Sequence, residues 1–321
     1  MKKYFFFALT FAIFVIFTVS SCQNTPSAGN SADLVEYEEP LVFDNYGREI
    51  VLTAKPRKVL TLGPNCTELF VALGLTDYIT GHSLADHSRG PLPEYAAEYA
   101  RIPELTYSHA TREAVIGSGA DFIYGIDWEF GGAALDIEEL AEYGITVYIN
   151  AASNLEEQYR EIFDIGRIFQ VEDRAEAFTD DQKARIRAVQ DKLSGQPPLK
   201  ALVYDHGTSG VFTSGKNNFV SLLIALAGGQ NIFDDITEQA WATVSFEEII
   251  ARDPDVIIIN DYDVPPAEEK IAEIKNGVLA QLVCVTNERF VTIELESLLP
   301  GSRMAYTTEK LAAGFYPGLF D

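Results

Sequence analysis

The sequence predicts an α/β protein of two Rossmann-like lobes with parallel sheets, joined by a single long α-helix. The first observation is that, from residue 57 onward, short apolar strands alternate with glycine-containing turns and amphipathic helices. This alternation is the pattern of parallel sheets covered by helices. The strand candidates are residues 59–62, 122–124, 147–149, 202–204, 256–259 and 291–293.

The second observation is a stretch in the middle of the chain that has no strand signal. Residues 172–193 contain neither Gly nor Pro and are polar and strongly helix-favouring. One helix of about 22 residues would be about 33 Å long. We therefore expect an N-terminal lobe over 39–171, a connecting helix over 172–194 and a C-terminal lobe over 195–321, with the helix acting as a strut that keeps lobe movements small.

Composition excludes one class of partner and argues against another class of function. The chain has 321 residues, with 48 acidic and 24 basic side chains and a formal net charge of −24. Such a surface repels a phosphate backbone, so nucleic acid is excluded as a partner. The sequence also lacks a nucleophile elbow, a P-loop and a Gly-x-Gly-x-x-Gly turn after its first strand. We expect a binding protein without a cofactor rather than an enzyme.

The first 22 residues have the order of a secretory signal. Lys2 and Lys3 precede an apolar run over 4–19, and Val19-Ser20-Ser21-Cys22 follows it. That last string resembles a bacterial lipobox, which implies that Cys22 becomes the first mature residue and carries lipid. Residues 23–38 would then be a flexible tether. The alternative is an uncleaved anchor helix, for which the apolar run is of borderline length.

The other two cysteines fall in different halves of the chain. A disulfide between Cys66 and Cys284 would lock the halves together. Free cysteine is among the most buried residue types, so we expect two buried free thiols.

A short pattern occurs once in each half of the chain. It has a hydroxyl residue, a Glu two positions later, and an Asp eight positions after the Glu, just before an apolar strand. The residues are Thr111, Glu113 and Asp121 in the first half, and Ser245, Glu247 and Asp255 in the second. The pattern places one Glu in the first turn of a helix in each lobe. A Glu there also complements the helix dipole by about 0.3–1 kcal/mol without any other role.

These segments together resemble a known family. The strings that carry the resemblance are KVLTLGPNCTEL from residue 58, the 113–123 block, FTSGK from 212, AGGQNIF from 227, WATVSFE from 241 and DPDVI from 253. In order and spacing they are similar to the substrate-binding proteins of ABC importers, in the branch that serves cobalamin, siderophores, haem and related iron complexes. The resemblance covers nearly the whole chain after the tether.

The resemblance implies a location, partners and a ligand. It implies an exported, membrane-anchored monomer that holds a metal chelate, such as an iron siderophore or a cobalamin- or haem-like compound, in a cleft between two lobes. It also implies delivery to an ABC permease dimer with its ATPase. A surface Glu on each lobe of the family docks into Arg-lined permease pockets, and Glu113 and Glu247 stand at the matching positions.

Ligands of parallel α/β sheets lie at the carboxyl ends of the strands. Residues just past the predicted strands are therefore candidates for the ligand site, and Trp241 joins them because the segment before the second docking helix faces the cleft in the family. The candidates are Asn65, His82, Trp128, Asp205, Trp241 and Tyr262. Ordinary core packing is the alternative for each aromatic residue.

Arg303 is a further candidate because it follows a helix-start signal, Pro300-Gly301-Ser302. A cation in a first turn opposes the helix dipole, and an anionic ligand in the cleft would compensate for it. Members of the branch that this sequence resembles also carry an Arg after Pro-Gly near the C-terminus. We therefore expect Arg303 to bind an anionic group of the chelate.

Two other functions stay open at this point. A bare divalent ion such as Zn or Mn could be held by histidines from the set His82, His87, His109 and His206, with Asp86 between the first two as the best cluster. Solvated loop histidines would give the same pattern. A sensor or adhesin without a transport role is the other possibility.

Overall fold

A computed structural model describes residues 35–131, 134–207, 209–262 and 265–320, and the chain from Val35 onward forms one compact unit. The signal-peptide prediction, Cys22 and most of the predicted tether lie outside these residues. The tether boundary at residue 38 is wrong, because strand β1 already begins at Glu36 and the Tyr37 hydroxyl donates a hydrogen bond to the Ile168 carbonyl. Within the described ranges, no helix combines the length and the hydropathy that a membrane crossing requires.

Among its described residues, the N-terminal lobe contains six strands and five helices. Its strands are β1 (Glu36–Asn45), β2 (Arg48–Ala54), β3 (Val59–Leu62), β4 (Ile79–Ser83), β5 (Phe122–Ile126) and β6 (Thr146–Asn150). Its helices are α1 (Pro64–Ala72), α2 (Ala96–Tyr99), α3 (Arg112–Gly117), α4 (Ile137–Glu142) and α5 (Leu155–Phe169). Short 3₁₀ turns lie at Thr76–Tyr78, Ala85–His87 and Asp127–Glu129.

The main sheet of this lobe is parallel throughout, in the order β4-β3-β5-β6. Every residue of β3 and β5 is buried, as expected for central strands covered by helices on both faces. The antiparallel β1–β2 hairpin forms a separate sheet.

Helix α6 (Glu172–Lys192) connects the lobes and has 21 residues, which corresponds to about 32 Å. It packs against α5 on one side. On the other side it is bound to α12 (Met304–Phe315), which ends the second lobe: the Gln182 Oε1 accepts a hydrogen bond from the Ala305 N–H at 2.9 Å, and Arg185 pairs with Glu309 at 2.6 Å. The predicted connecting helix is thus present, and both lobes pack along it.

The C-terminal lobe repeats the architecture. Its strands are β7 (Leu199–Tyr204), β8 (Val211–Ser214), β9 (Gly229–Asn231), β10 (Trp241–Val244), β11 (Val256–Asp261) and β12 (Phe290–Glu294). Its helices before α12 are α7 (Phe219–Leu226), α8 (Phe246–Arg252), α9 (Ala267–Asn276), α10 (Val283–Thr286) and α11 (Leu295–Leu298), with a 3₁₀ turn at Val278–Gln281. The main sheet is parallel in the order β12-β11-β7-β9, and β8 pairs with β10 as an antiparallel ribbon.

The fold prediction is confirmed. Each of the six predicted strands is present with its centre in place, and the structure extends most of them by one to three residues. Most of these strands could be recognised because helices cover both faces of the parallel sheets, which makes the strands continuous apolar runs.

A buried ion pair joins the lobes beside the connecting helix. Arg303 donates from Nε and Nη2 to the two carboxylate oxygens of Glu68 on α1, and the nearest contact is 2.5 Å. The two side chains are 4% and 1% exposed. Glu296 on α11 lies 3.5 Å from the same guanidinium and accepts hydrogen bonds from the Ser88 hydroxyl and the Arg89 N–H of the other lobe.

This pair corrects the prediction that Arg303 binds an anionic ligand. Arg303 immediately precedes α12, and its charge is balanced by Glu68 and Glu296, so no external anion is needed to explain a cation at that helix start. The expectation failed because Glu68 is 235 positions away in the sequence.

Cys66 and Cys284 are both buried and free, as predicted. Burial raises the pKa of both thiols, to about 11 for Cys284. Neither side chain is therefore a reactive thiolate near neutral pH.

Candidate functional site

A cavity of about 360 Å³ lies between the lobes at the carboxyl ends of their parallel strands. Both lobes contribute to its wall, and most of the side chains are aromatic rings or imidazoles. They are His87, His109 and Trp128 from the first lobe, and Asp205, His206, Phe212, Trp241, Tyr262, Leu295 and Leu299 from the second. The structure thus brings together four of the seven predicted ligand residues, namely Trp128, Asp205, Trp241 and Tyr262.

The topology explains why three of these residues, Trp128, Asp205 and Tyr262, meet. Trp128 follows β5 in a 3₁₀ turn, Asp205 follows β7, and Tyr262 follows β11. Strands β5, β7 and β11 are inner strands of their sheets, so the residues that follow them reach the middle of the cleft. Tyr262 crosses the cleft and stacks on His87 of the other lobe, with ring centroids 6.1 Å apart and planes at 15°.

Three neighbouring rings form much of the second-lobe wall. Phe212 stacks on Trp241 at 5.4 Å between centroids and 15° between planes, and His206 lies against the other side of this group at 5.2 Å from Phe212. Phe212 was missed as a site residue. The available signal was the FTSGK string next to a Trp-bearing strand, but the antiparallel pairing of β8 with β10 that joins the two rings cannot be read from either segment alone.

A second cavity of about 270 Å³ has Trp128, Trp241 and Leu299 in common with the first. Its remaining wall mixes apolar side chains with polar ones, and the polar ones include Asn150, Ser153 and Asn217. The cleft therefore offers an aromatic compartment and a more polar one on the two sides of the same tryptophans.

Three imidazoles of the aromatic compartment have a carboxylate on Nδ1. His87 is 2.8 Å from Asp86, His206 is 2.8 Å from Asp205, and His109 contacts Glu129. Glu129 is buried, and its second oxygen accepts the Ala110 N–H at 3.0 Å. In each pair the carboxylate oxygen is the acceptor, so Nδ1 is the nitrogen that donates and Nε2 is the nitrogen that does not contact the carboxylate.

Behind the second-lobe wall lies a buried amine. Lys270 is 1% exposed, donates to the Asn260 carbonyl at 2.6 Å and lies 3.6 Å from the centre of the Tyr262 ring. Burial lowers the pKa of Lys270 to about 8, against the opposing effect of Asp205 and Asp261. Burial also raises the pKa of Tyr262, and the nearby Asp205 carboxylate raises it further. Tyr262 is thus held as a neutral phenol over a cation.

Besides Arg303, two predicted ligand residues do not reach the cavity wall. Asn65 is buried, where its amide donates to Asn150 and to the Pro300 carbonyl across the lobe boundary. His82 lies within β4, packs against Tyr99 and is largely buried, which lowers its pKa. Neither side chain lines either cavity of the cleft.

The alternative metal cluster of His82, Asp86 and His87 is not assembled. His82 points into the lobe, while Asp86 is engaged by His87 itself. Over the described ranges, no three or more His, Cys, Asp or Glu side chains come together in a way that could hold a metal ion.

Glu113 and Glu247 occupy the same position in corresponding helices. Each is the second residue of a helix, after Thr111 at the cap of α3 and Ser245 at the cap of α8. Neither carboxylate takes part in the capping hydrogen bonds of its helix. The Thr111 hydroxyl accepts the hydrogen bond from the Ala114 N–H, and the capping box of α8 is formed by Ser245 and Glu248. Glu113 is 80% exposed and Glu247 is exposed. Helices α3 and α8 lead into the inner strands β5 and β11.

Comparisons with curated proteins find relatives of low identity and broad coverage. The chain is 24% identical over 284 residues to an uncharacterized ABC transporter substrate-binding lipoprotein, YvrC, of Bacillus subtilis, covering 87% of this chain and 86% of that protein. It is 28% identical over 211 residues to a cobalamin-binding protein of Halobacterium salinarum, covering 65% of this chain and 55% of that protein.

Comparisons with solved structures show the same fold. A periplasmic binding protein from Veillonella parvula superposes with a TM-score of 0.78 at 23% identity, covering 87% of this chain and 98% of that chain. An ABC-type Fe³⁺-hydroxamate transport system protein from Saccharomonospora viridis gives 0.73 at 21% identity, covering 86% and 99%.

The family model for periplasmic binding proteins matches residues 59–293, from the first strand of the main N-terminal sheet to the last strand of the C-terminal one. This span contains the four predicted residues that line the cavity and both docking candidates. The chain belongs to the periplasmic binding protein family.

Proposed function

We propose that this protein is the solute-binding component of an ABC importer and captures a metal chelate, of the iron-siderophore type or cobalamin- or haem-like. The observation that carries the proposal is the cavity of about 360 Å³ to which both lobes contribute aromatic and imidazole side chains. Flat apolar rings suit the organic part of a chelate, and a few polar groups fix its orientation. We propose a binding role without catalysis, in keeping with the family model.

The named relatives support this class of ligand. One is named for cobalamin and one solved structure for an Fe³⁺-hydroxamate system, and both ligands are metals held in organic chelators. The relative from Bacillus subtilis is named a lipoprotein, in line with lipid on Cys22. We propose that the protein works as a monomer outside the cytoplasm, anchored by that lipid, and delivers its chelate to a permease dimer driven by an ATPase.

Glu113 and Glu247 are the proposed contacts with the permease. Their carboxylates are exposed at equivalent helix positions, one in each lobe, and are not used in capping their helices. Two separated negative charges give an oriented, charge-complementary contact with a cationic surface, which speeds encounter more than it adds affinity. The proposal therefore separates docking from ligand binding.

The test is chelate uptake by cells that carry Glu113→Ala together with Glu247→Ala. Uptake should be abolished while the purified double variant binds the chelate as the wild type does. The matched control is Glu138→Ala with Glu268→Ala, because both residues are exposed second residues of helices, α4 and α9, that lie elsewhere on the two lobes. Normal uptake by the first double variant would overturn the docking assignment. Uptake that does not depend on the gene at all would favour a sensor or adhesin.

Ligand binding can be measured without labels. The chain has two tryptophans, Trp128 and Trp241, and both line the cleft. Titration with a ferric hydroxamate, a corrinoid and haem should quench the tryptophan fluorescence for at least one of these probes, with saturation at one equivalent. If none of the three quenched it, the proposed ligand class would be wrong.

A further inference from the structure

We infer that the second lobe holds the permease through an apolar side chain of that partner, which inserts into a cavity beside Glu247. The inference rests on the proposed function and deepens it, because it gives the second lobe a contact that a carboxylate alone does not provide. The cavity has a volume of about 310 Å³ and shares no wall residue with the two cavities of the ligand cleft. Most of its wall is apolar, with Tyr204, Phe246, Ile274, Val278 and Leu279, and its charged wall residue is Glu273.

The position of this cavity is the first observation. Phe246 lines it and is the first residue of α8, directly before the docking candidate Glu247. The rest of the wall comes mainly from the end of α9 and from the 3₁₀ turn Val278–Gln281, which packs against α8. Consecutive Cα atoms are about 3.8 Å apart, so a partner that reaches the Glu247 carboxylate also lies next to the cavity.

The second observation is the exposure of valine side chains at this place. Val278 lines the cavity and is 53% exposed, and Val283 at the start of α10 is 65% exposed. A single exposed apolar side chain is ordinary on a protein surface. Here an exposed valine forms part of a largely apolar cavity wall, and a second one begins the helix that packs against the same 3₁₀ turn. Apolar surface of this kind indicates a contact with another molecule.

The charges around the cavity select the chemistry of the partner. Glu273 in the wall and Glu247 and Glu248 on α8 are exposed acidic side chains. The nearby amine of Lys275 is paired with Glu288 at 2.6 Å. An apolar cavity with acidic neighbours fits a segment that carries a large apolar side chain next to an Arg or Lys, and it disfavours an acidic segment. This is the kind of cationic surface that the proposed function assigns to the permease.

The corresponding position in the first lobe has different chemistry. Arg112 precedes Glu113 there, where Phe246 precedes Glu247 in the second lobe. The Arg112 guanidinium donates to Glu139 at 2.8 Å and lies 6.0 Å from the centre of the Tyr143 ring. The two lobes therefore present equivalent carboxylates in unlike surroundings. We expect a polar contact with the permease at the first lobe and a contact anchored by an apolar side chain at the second.

Photo-crosslinking in the protein's own cells tests the contact directly. The photoreactive amino acid p-benzoylphenylalanine replaces Val278 in the full chain, and the crosslinked peptides are identified by mass spectrometry after irradiation. We expect a crosslink to the permease, at a segment with an apolar side chain next to Arg or Lys. The control is the same amino acid in place of Val42, which is also 53% exposed but belongs to the β1–β2 hairpin. Equal crosslinking to the permease from both positions, no crosslink from position 278, or one only to a second copy of this chain or to another protein would overturn the inference.

Neutral substitutions measure what the contact contributes. Val278→Thr with Val283→Thr keeps the shape of both side chains and adds no charge, but it places hydroxyl groups where apolar contact is inferred. Chelate uptake at limiting concentration should fall at least ~5-fold, while the purified variant binds the chelate as the wild type does. The matched control is Val42→Thr with Val51→Thr, because these valines pair across the hairpin and are 53% and 50% exposed. Unchanged uptake by the first pair, or an equal loss in the control pair, would contradict the anchor.

The outcome stays distinct from that of the proposed function. If Glu113→Ala with Glu247→Ala abolishes uptake but Val278→Thr with Val283→Thr does not reduce it, the apolar anchor fails and the docking carboxylates stand. If position 278 crosslinks to the permease while the glutamate variant imports normally, the carboxylate assignment fails and the anchor stands. Uptake that does not depend on the gene refutes the transport function itself, whatever position 278 contacts.

Discussion

Replacing Arg303 with Met removes the cation that joins the two lobes. The change leaves Glu68 buried at 1% exposure, with the Ser302 hydroxyl at 2.7 Å and the Leu92 N–H at 2.9 Å as its remaining donors. An uncompensated buried charge of this kind destabilises a protein by about 3–5 kcal/mol. Because Glu296 also loses its neighbouring cation, we expect a loss at the upper end of that range.

Urea unfolding monitored by circular dichroism measures this loss. The matched control is Lys275→Met, which breaks an exposed pair with Glu288 and should change the free energy of unfolding by less than about 1 kcal/mol. Adding Glu68→Gln to Arg303→Met should restore part of the stability, because the carboxylate that lacks a partner is then neutral.

The same variant tests the corrected role of Arg303. If it acts between the lobes, the folded variant should bind the chelate with nearly wild-type affinity. A loss of stability below about 1 kcal/mol, combined with a large loss of chelate affinity, would refute the reasoning. That combination of results would mean that Arg303 binds the ligand.

Three further predictions concern a buried amine, the thiols and the motion of the lobes. The amine of Lys270 has a pKa of about 8 when folded and an ordinary value of 10.5 when unfolded, so the unfolded chain binds more protons between these pH values. Wild-type stability in urea should therefore rise relative to Lys270→Met by about 3 kcal/mol across this window, and a flat difference would contradict it. Cys66 and Cys284 should not react with Ellman's reagent at pH 7.5 until the chain unfolds, and rapid labelling of the native protein would show otherwise. Scattering curves with and without bound chelate should differ only slightly, because α6 packs along α12 and a buried ion pair joins the lobes; a large change in radius of gyration would contradict a small closure.

The sequence allowed most strands of the two main parallel sheets to be predicted, because most of them are buried on both faces and are therefore apolar runs. The β1–β2 hairpin was missed for the opposite reason: Glu36, Glu38 and Glu39 make its first half polar, since one face of it is exposed. The β8–β10 ribbon was missed because pairing between separate short segments leaves no periodic signal.

The site was predictable where it follows strand ends and not where it depends on distant partners. Trp128, Asp205 and Tyr262 come directly after inner strands, so topology alone places them in the cleft. The placement of Arg303 depends on Glu68, and the orientation of His109 depends on Glu129, a contact across 20 residues and a turn. Such side-chain pairs are fixed by tertiary packing, for which local spacing carries no signal.

The most direct test of the account is native mass spectrometry, combined with elemental analysis, of the protein freshly isolated from its own cells. The account predicts a fraction that carries one small organic molecule with one metal atom, released on unfolding and able to quench the fluorescence of Trp128 and Trp241 when added back. A bound small molecule without metal, or one that binds without affecting either tryptophan, would contradict the claim that this cleft captures a metal chelate.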